Sequence, residues 1–258
     1  MDIYQHFRKD EKPFIDQALS WIDDVEKTFQ PKLTDFLNPR EQQIVDMLAG
    51  TSLEDITVLK HGGHPSTERN RIVIAPRYEP ITEDTFQLAL LQGFYHSKFV
   101  SLTHSDVMGA FLSLGIKRKK LGDIIVEDGL VQMVVADEII PYVLANLTTI
   151  KKTSIRLDEK PLSTMIESKT DWIESTHTVS SLRLDTVVKA IYKLSRTKAS
   201  DMISQGLVKV NHKIIDDKKF TLQEGDILSL RGKGRSKLVH NNGYTKKGHI
   251  NITVAVLK

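Results

Sequence analysis

The sequence predicts an α+β protein of three successive units, and three patterns in the chain carry that prediction. A helical pattern dominates residues 3–29, strand-like and helical stretches alternate between about residues 70 and 160, and two short helices precede short strands after residue 181. At 258 residues the chain is long for one domain. We expect an N-terminal α+β domain, a central domain, a linker and a C-terminal domain with a β extension, at residues 1–75, 76–160, 161–180 and 181–258.

The first unit has two predicted helical regions and two predicted strands. Apolar residues recur at three-and-four spacing through residues 3–29, which indicates one long amphipathic helix or a helix pair ending before Pro31. A second helix starts after Asn38-Pro39 and ends at Gly50. The strands are predicted at residues 56–59 and 71–75.

The segment between these two strands holds two histidines, His61 and His64, near Glu68. All three are candidate metal ligands, but a structural zinc site takes four ligands and no further ligand is nearby. The Gly-Gly-His-Pro sequence there is also typical of a turn between strands. We therefore expect a loop, and we expect no metal and no cofactor.

The second unit shows the order strand, helix, hairpin, helix, strand. Asp128-Gly129 is typical of a hairpin turn, and Thr103 or Ser105 can cap the first helix, which Gly115 ends. This order is that of a ferredoxin-like sandwich, the fold of the RNA-recognition motif. The strands are predicted at residues 86–91, 123–127, 131–136 and 153–157, and the helices at residues 106–114 and 137–147.

A sheet of this kind can bind single-stranded RNA when aromatic side chains project from its middle strands. Residues 123–136, which supply two of the predicted strands, contain no aromatic residue. We therefore expect an RRM-like fold without the usual stacking chemistry.

Four consecutive cations, Lys117, Arg118, Lys119 and Lys120, follow the first helix of this unit. One interpretation is an auxiliary RNA contact through backbone phosphates. The other is favourable charge at the negative end of the helix dipole, together with a solvated loop. The sequence leaves both open, although four cations are more than a dipole requires.

The pattern weakens between residues 159 and 178, where Ser, Thr, Lys and Glu dominate. Such a composition is typical of a linker between domains. The segment also contains Trp172, and a flexible tether has little use for a large indole. We therefore expect Trp172 to pack against a neighbouring unit.

The composition excludes several classes of function. The chain has 40% hydrophobic and 27% charged residues, as in an ordinary soluble globular protein. No apolar run approaches the roughly 18 residues of a membrane span, and the first residues lack the apolar stretch of a signal peptide, so a cytoplasmic location is expected. Cysteine is absent, which excludes disulfides, thiol nucleophiles and cysteine-ligated zinc.

The charge is divided unevenly along the chain. The first 180 residues carry 20 Lys and Arg against 27 Asp and Glu, whereas the last 78 carry 16 against 6. A positive field confined to one end indicates a polyanionic partner for that end, and nucleic acid is the commonest one. The alternative is that the charge serves solubility alone.

The C-terminal unit begins with two short helices. Leu184, Val188 and Ile191 lie on one face of the first helix. Ser195 is a natural N-cap for the second helix, and Gly206 supplies the positive φ that ends it. The strands that follow are predicted at residues 207–211 and 227–230.

Cations occupy the ends of these elements. Arg183 precedes the first helix, while Arg196 and Lys198 lie in the first turn of the second helix, where free backbone amides also favour phosphate. A purely structural account predicts Asp or Glu in a first turn, because cations there oppose the helix dipole. We therefore predict an RNA-binding surface. Its members are Arg183, Ser195, Arg196, Lys198, Lys209, Asn211, Arg231, Lys233 and Arg235.

Four blocks of this unit resemble the RNA-binding domain named after ribosomal protein S4. The blocks are Arg183-Leu184-Asp185; Ser195-Arg196 with Ala199, Ile203 and Gly206; Val208-Lys209-Val210-Asn211; and Glu224-Gly225-Asp226. Where that domain usually has Gly after the Asn, this chain has His212, although Asn211 itself tolerates a positive φ. The resemblance implies that the two-helix face and the adjoining strand bind structured RNA through their basic residues.

The resemblance extends over the whole chain. The chain resembles the YlmH family of Gram-positive bacteria in the opening DIYQHFRKDEKPFIDQALSW, in the middle GGHPSTERNRIVIAP, in the GIKRKKLGDIIVEDG block and in the S4 domain. This resemblance implies an RNA-binding protein of the translation apparatus, similar in role to RqcP-type ribosome quality-control factors. Such factors act on large ribosomal subunits that are obstructed by a peptidyl-tRNA after a stall.

The same resemblance implies the partners. A factor of this type contacts the 23S rRNA of the large ribosomal subunit and the peptidyl-tRNA together. It works with the tailing factor that adds a template-free, alanine-rich tail to the nascent chain. A monomer without a membrane span is expected.

Two other functions stay open at this point. S4 domains often accompany RNA-modifying enzymes, and Arg156-Leu157-Asp158 resembles part of a pseudouridine synthase active site. No Gly precedes Arg156, and no Gly-x-Gly-x-x-Gly follows a strand, so we expect no enzyme. The second alternative is an adaptor in cell division that docks through the acidic front of the chain, because the gene family is associated with cell-division gene neighbourhoods.

Overall fold

The computed structural model of the chain forms two compact units, Met1–Ser168 and Lys169–Lys258. The structure describes residue 4 and residues 7–50, 55–127, 129–167, 172–246 and 248–257. Each unit has its own hydrophobic cores. The α+β class predicted for the chain is confirmed.

The first unit opens with two helices on a small antiparallel sheet, in which the strand at residues 71–76 lies between those at residues 32–33 and 56–61. The apolar stripe of the first helix, including Ile15 and Ile22, packs on Ile72 and Ile74 of the central strand. Asn38 caps the second helix by accepting hydrogen bonds from two backbone amides, as its position before Pro39 predicts. The elements are α1 (Lys12–Thr28), β1 (Lys32–Leu33), α2 (Pro39–Ala49), β2 (Ile56–His61) and β3 (Arg71–Pro76).

The remainder of this unit is the predicted four-stranded sandwich. Its elements are β4 (Leu88–Phe94), α3 (His104–Ser113), β5 (Leu121–Glu127), β6 (Leu130–Ala136), α4 (Ile140–Asn146), β7 (Thr149–Ile150), β8 (Thr153–Ser154) and β9 (Leu157–Lys160). The antiparallel sheet has the order β5-β6-β4-β9, which is the ferredoxin-like order. Thr103 caps α3. Gly129 turns the hairpin with φ of 82°, and Asp128 lies outside the described residues.

The last strand of this sheet is not where the sequence predicted it. Residues 149–154 form a separate two-stranded hairpin, β7–β8, while the sheet is completed by β9. Ile150 and Ile155 are buried in the core under the helices. In the sequence, their apolar side chains looked like those of a strand of the main sheet. The true edge strand exposes Asp158, Glu159 and Lys160, because an edge strand is paired on one side only and tolerates charge.

The second unit is a six-stranded antiparallel sheet with two helices. Val187 and Val188 of the first helix and Ile203 of the second are buried against Leu228 and Val254 of the sheet. The elements are β10 (Trp172–Val179), α5 (Leu184–Tyr192), α6 (Arg196–Ser204), β11 (Val208–Val210), β12 (Lys213–Ile214), β13 (Ile227–Leu230), β14 (Gly234–Tyr244) and β15 (Ile250–Leu257). Their order is β10-β15-β14-β13-β11-β12.

The segment predicted as a linker, residues 161–180, is largely structured. Leu162 and Met165 pack on the central sheet of the first unit, and β10 pairs along its full length with β15. The linker prediction was wrong here because β10 is polar and mostly exposed. Its sequence therefore lacks the alternation of apolar and polar residues that would predict a strand. Trp172 lies opposite Leu257 within this sheet. Residues 168–171 lie outside the described part of the chain.

Candidate RNA-binding surface

Two predicted arginines meet at one buried carboxylate. The side chain of Asp185, in the first turn of α5, is only 2% exposed. Arg183 donates to both of its oxygens, from Nε to Oδ1 at 3.1 Å and from Nη2 to Oδ2 at 2.8 Å. Arg196 Nε lies 3.9 Å from the same Oδ2. One carboxylate thus accepts hydrogen bonds from Arg183 and forms a longer ion pair with Arg196, at the starts of α5 and α6.

The start of α6 is built as predicted. Ser195 caps the helix, its Oγ accepting a hydrogen bond from the Lys198 amide at 3.2 Å. The Arg196 side chain is 73% exposed, and Lys198 is exposed beside it. Two exposed positive charges therefore lie in the first turn of α6, where the backbone amides of a helix N-terminus are also free, an arrangement that favours a phosphate.

Lys209 and Arg235 share one face of the sheet. Lys209 is exposed between the buried residues Val208 and Val210. It lies directly opposite Ser229 of β13, which in turn lies opposite Arg235 of β14. Since neighbouring strands are about 4.8 Å apart, the two cations are separated by roughly 10 Å across the sheet.

Arg231 and Lys233 occupy the turn between β13 and β14. The turn is fixed by a hydrogen bond from the Lys233 amide to the Leu230 carbonyl at 2.9 Å and by one from the Arg231 amide to the Leu207 carbonyl at 3.0 Å. Gly232 has a φ of 78°, a conformation that costs a side-chain-bearing residue free energy. Both cations are exposed on this turn.

Asn211 has a different role from the cations around it. Its side-chain amide donates to Asp226 Oδ1 at 2.7 Å, and its Oδ1 accepts from the Ile227 amide at 2.9 Å. Asn211 and His212 have φ of 48° and 67°, as the two central residues of a type I′ hairpin do. Asn211 therefore shapes the hairpin that carries Lys209.

Three of the four cations in the run Lys117–Lys120 make ion pairs or hydrogen bonds within the protein. Lys119 and Lys120 each lie 2.6 Å from an oxygen of Asp35, and Lys120 also reaches Glu138 at 2.5 Å. Arg118 donates to the carbonyl of Leu121 and, at 3.3 Å, to that of Gly122. Burial lowers the pKa of Arg118 to about 10. Lys117 is exposed and makes no ion pair within the described residues.

These contacts belong to a junction between the N-terminal helices and sheet and the central sandwich. The Phe36 ring lies so close to Gly122 that an added Cβ there would meet it at 2.7 Å. Arg69 donates to the Phe36 carbonyl at 2.8 Å. Asp123 accepts from the amides of Glu68 and Arg69 at 2.8 and 3.0 Å, and burial raises its pKa. The cations at 118–120 thus help to join two parts of one compact unit.

The sheet face that an RNA-recognition motif uses is covered by the chain itself. Leu90 and Val134 on this face pack with Phe36 from the N-terminal part and with Met165 from the segment after β9. Gln132 in the middle of the face is 1% exposed. Its side chain bonds to the carbonyl of Thr164 and the amide of Ile166. The expectation that stacking chemistry is missing from this face therefore has a second physical basis, its burial.

Two features of the second unit escaped the sequence analysis. The triplet Arg183-Leu184-Asp185 was noted as a motif, but the role of Asp185 as the shared partner of both arginines was not. Tyr244, which is 80% exposed at the end of β14, was not noted at all. Its signal was a lone aromatic in a run rich in Lys, Asn and Gly.

The two helices with their paired arginines, the turned hairpin and the basic sheet define an S4-type RNA-binding domain, and the model of the S4 domain matches residues 182–228. Residues 10–79 match the model described as "YlmH, N-terminal", and residues 80–164 match "Putative RNA-binding domain in YlmH". The chain belongs to the YlmH family.

Individual relatives agree with this assignment. The chain is 41% identical over 252 residues to "Ribosome-associated protein quality control protein P2" of Bacillus subtilis (strain 168), covering 98% of this chain and 97% of the relative. The solved structure "Cell division protein ylmH from Streptococcus pneumoniae" is 31% identical, with a TM-score of 0.55 over 64% of this chain and 99% of that one. Small ribosomal subunit protein uS4 of Thermoanaerobacter sp. (strain X514) is 40% identical over 62 residues, 23% of this chain and 30% of the relative.

Proposed function

We propose that this protein binds rRNA and tRNA on large ribosomal subunits obstructed by a peptidyl-tRNA, and that it supports the tailing of the nascent chain in ribosome-associated quality control. The observation that carries the proposal is the arginine pair held by Asp185 at the starts of α5 and α6. The name of the Bacillus subtilis relative supports the ribosomal setting.

The charge of the surface explains how it would engage RNA. The last 78 residues carry 16 Lys and Arg against 6 Asp and Glu, and Arg196, Lys198, Lys209 and Arg235 are placed at helix starts and along one sheet face. Each phosphate neutralised by such a cation releases counterions, so the affinity falls as salt rises. Geometry then favours a folded RNA whose phosphates match these positions.

Binding, and not catalysis, is the proposed activity. The Arg156-Leu157-Asp158 triplet that resembles a pseudouridine synthase lies at an exposed strand edge. The Arg156 side chain is 92% exposed, and its Nε lies 3.6 Å from Asp158. An exposed pair of this kind lacks the water-excluded environment in which charged groups stabilise a transition state. The proposal further takes the protein as a cytoplasmic monomer, with 23S rRNA, peptidyl-tRNA and the tailing factor as its partners.

A second candidate is an adaptor in cell division. The observation that favours it is the name of the solved Streptococcus pneumoniae relative. RNase treatment separates the two proposals, because an RNA-binding factor loses its association with ribosomal particles when RNA is digested, whereas a protein adaptor keeps its association with division proteins.

The test of the main proposal is co-sedimentation of the full chain with purified large subunits. We expect Arg196→Ala to weaken binding about tenfold and to lower the salt dependence by about one phosphate contact, while Arg183→Ala weakens it as well. Arg77→Ala is a matched control, since Arg77 is an exposed arginine in the first unit. Unchanged co-sedimentation of the Arg183→Ala, Arg196→Ala double variant would contradict the proposed site.

A further inference from the structure

The β14–β15 hairpin extends the S4 domain beyond the residues that its model matches. The match ends at residue 228, whereas β14 starts at Gly234 and β15 ends at Leu257. The neighbouring strand β10 ends at Val179, opposite Ile250. The described residues of the hairpin tip beyond this pair, 245, 246, 248 and 249, therefore have no strand beside them on that edge.

Tyr244 stands at the base of this tip with its side chain in solvent. It is 80% exposed, and it follows an irregularity in which three steps along β14, from Asn241 to Tyr244, face two steps along β15. Gly243 accommodates this bulge with φ of 87°. Bulges re-aim the side chains next to them, so the bulge accounts for an aromatic ring that the core of the sheet does not use.

The backbone on both sides of Tyr244 is held in place. The Asn241 amide donates to Glu224 Oε1 at 2.6 Å, and the Asn242 side chain donates to Thr253 Oγ1 at 2.9 Å. Beyond the ring, the Thr245 amide donates to the His249 carbonyl at 2.7 Å. An exposed ring on a fixed backbone loses little conformational freedom when it binds a partner.

The charged side chains of the hairpin itself are all cations, although Glu224 of the preceding turn contacts the Asn241 amide. Residues 231–258 include seven Lys and Arg and no Asp or Glu. Three of these cations, Lys233, Arg235 and Lys237, lie at the base of the hairpin, and Lys246 is exposed at the tip. Asn, Gly and Thr are the immediate neighbours of the ring in sequence, so the residues that adjoin Tyr244 add no large apolar side chain to it. An exposed aromatic ring with an exposed cation two residues away, Lys246, suits a surface that stacks on a nucleobase.

We propose that Tyr244 stacks on an unpaired nucleobase of the bound RNA while Lys246 contacts a neighbouring phosphate. The hairpin would then add a contact with single-stranded RNA to the contact that the helix starts make with structured RNA. This inference rests on the proposed function, since it assigns a second part of the same RNA-binding unit. Its chemistry requires an unpaired base, which a loop of rRNA or of tRNA supplies equally well.

The test uses two fluorescein-labelled RNAs with the same number of phosphates, a hairpin with an unpaired loop and a blunt duplex. Tyr244→Ala in the full chain is expected to weaken binding of the loop RNA about 5- to 150-fold, the range that one stacked base contributes. Its affinity for the duplex and its salt dependence are expected to stay unchanged. Tyr244→Phe, which keeps the ring, is expected to bind both RNAs like the natural chain. Tyr78→Ala is the matched control, because Tyr78 is 73% exposed in the first unit.

Three outcomes would overturn the inference: equal affinity of Tyr244→Ala and the natural chain for the loop RNA, equal losses with both RNAs, or a loss in Tyr244→Phe. Arg196→Ala, measured in parallel, keeps the proposed function separate, because its loss is expected with both RNAs whatever Tyr244 does. Repeating the series with purified tRNA and with vacant large subunits assigns the unpaired base to one of these RNAs; a loss with neither contradicts the inference.

Discussion

The cation run at residues 117–120 and the arginine pair at the helix starts look alike in sequence but differ in how many carboxylates surround them. Lys119 and Lys120 share Asp35 at 2.6 Å, and Lys120 also pairs with Glu138 at 2.5 Å. Among the residues that the structure describes, Arg183 and Arg196 have one carboxylate between them, Asp185. The two lysines of the first cluster thus face two carboxylates, and their contacts serve the fold. The second keeps a net positive charge and presents it to solvent, which is what a phosphate needs.

The largest effect is expected from removing the shared carboxylate by Asp185→Asn. The change adds one positive charge to the unit, so long-range attraction alone predicts tighter RNA binding. We expect the opposite, a loss of about tenfold, because the two guanidinium groups lose the partner that positions them. The free energy of unfolding should fall by about 2 kcal/mol, since a buried ion pair loses one member while Arg183 remains partly solvated.

Fluorescence anisotropy with a structured RNA and urea unfolding of the same protein measure these two quantities. Asp201→Asn is a useful control, because Asp201 is an exposed acid on α6 and its removal makes the same charge change. If Asp185→Asn bound RNA more tightly, to the same degree as Asp201→Asn, net charge and not positioning would govern the site.

An intermediate effect, on stability and not on RNA binding, is expected from the double change Lys119→Ala, Lys120→Ala. It leaves Asp35 without its two cations, and we expect the free energy of unfolding to fall by about 1–2 kcal/mol. The affinity for large subunits should stay within about twofold. A loss of affinity without a loss of stability would instead show that these lysines contact RNA.

The same variant has a defined pH dependence. Burial acts to raise the pKa of Asp35, but the hydrogen bonds from Lys119 and Lys120 outweigh it and hold the pKa below 3.8. A carboxyl group with a lowered pKa stabilises the fold above its unfolded pKa, and this contribution is lost as the pH falls through the folded value. The difference in unfolding free energy between the natural chain and the variant should therefore be constant above about pH 5 and shrink below pH 3.8.

The smallest effect is expected from Lys117→Ala, the exposed member of the run. Because Arg118, Lys119 and Lys120 have internal partners, Lys117 is the member of the run best able to contact a phosphate. We expect its removal to lower the affinity at most twofold and to leave the free energy of unfolding unchanged. Anisotropy titrations at two salt concentrations are sufficient to measure it. A loss of tenfold or more, with a lower salt slope, would mean that the central domain supplies a substantial RNA contact of its own.

Much of the architecture could be predicted because local chemistry specifies it. Asn38 and Ser195 are good helix caps in any context, and both cap helices in the structure. The order of elements in the central sandwich followed from apolar periodicity and turn residues, and the sheet order is ferredoxin-like as predicted. Such signals depend on neighbours a few residues away, so they are present in the sequence itself.

The predictions that were wrong concern elements whose identity depends on distant partners. The strand β10 is polar and mostly exposed, and it is a strand because β15 offers a full-length edge about 80 residues further along the chain. The strand β9 is likewise charged and exposed, and it is a strand because it pairs with β4, which is distant in sequence. When the side chains of a strand face solvent, its sequence shows no apolar pattern that would reveal its pairing with a distant strand.

The sequence by itself determined the class of this protein, the S4 blocks and the basic character of its C-terminal end, because these depend on residue type and spacing. Only the tertiary structure decided which cations are available to a partner. Asp35 and Glu138 approach Lys120 from positions 85 and 18 residues away along the chain, whereas a single buried Asp185 serves both Arg183 and Arg196. The charge of a side chain is set by its chemistry, but its neutralisation is set by what folding places within a few ångströms.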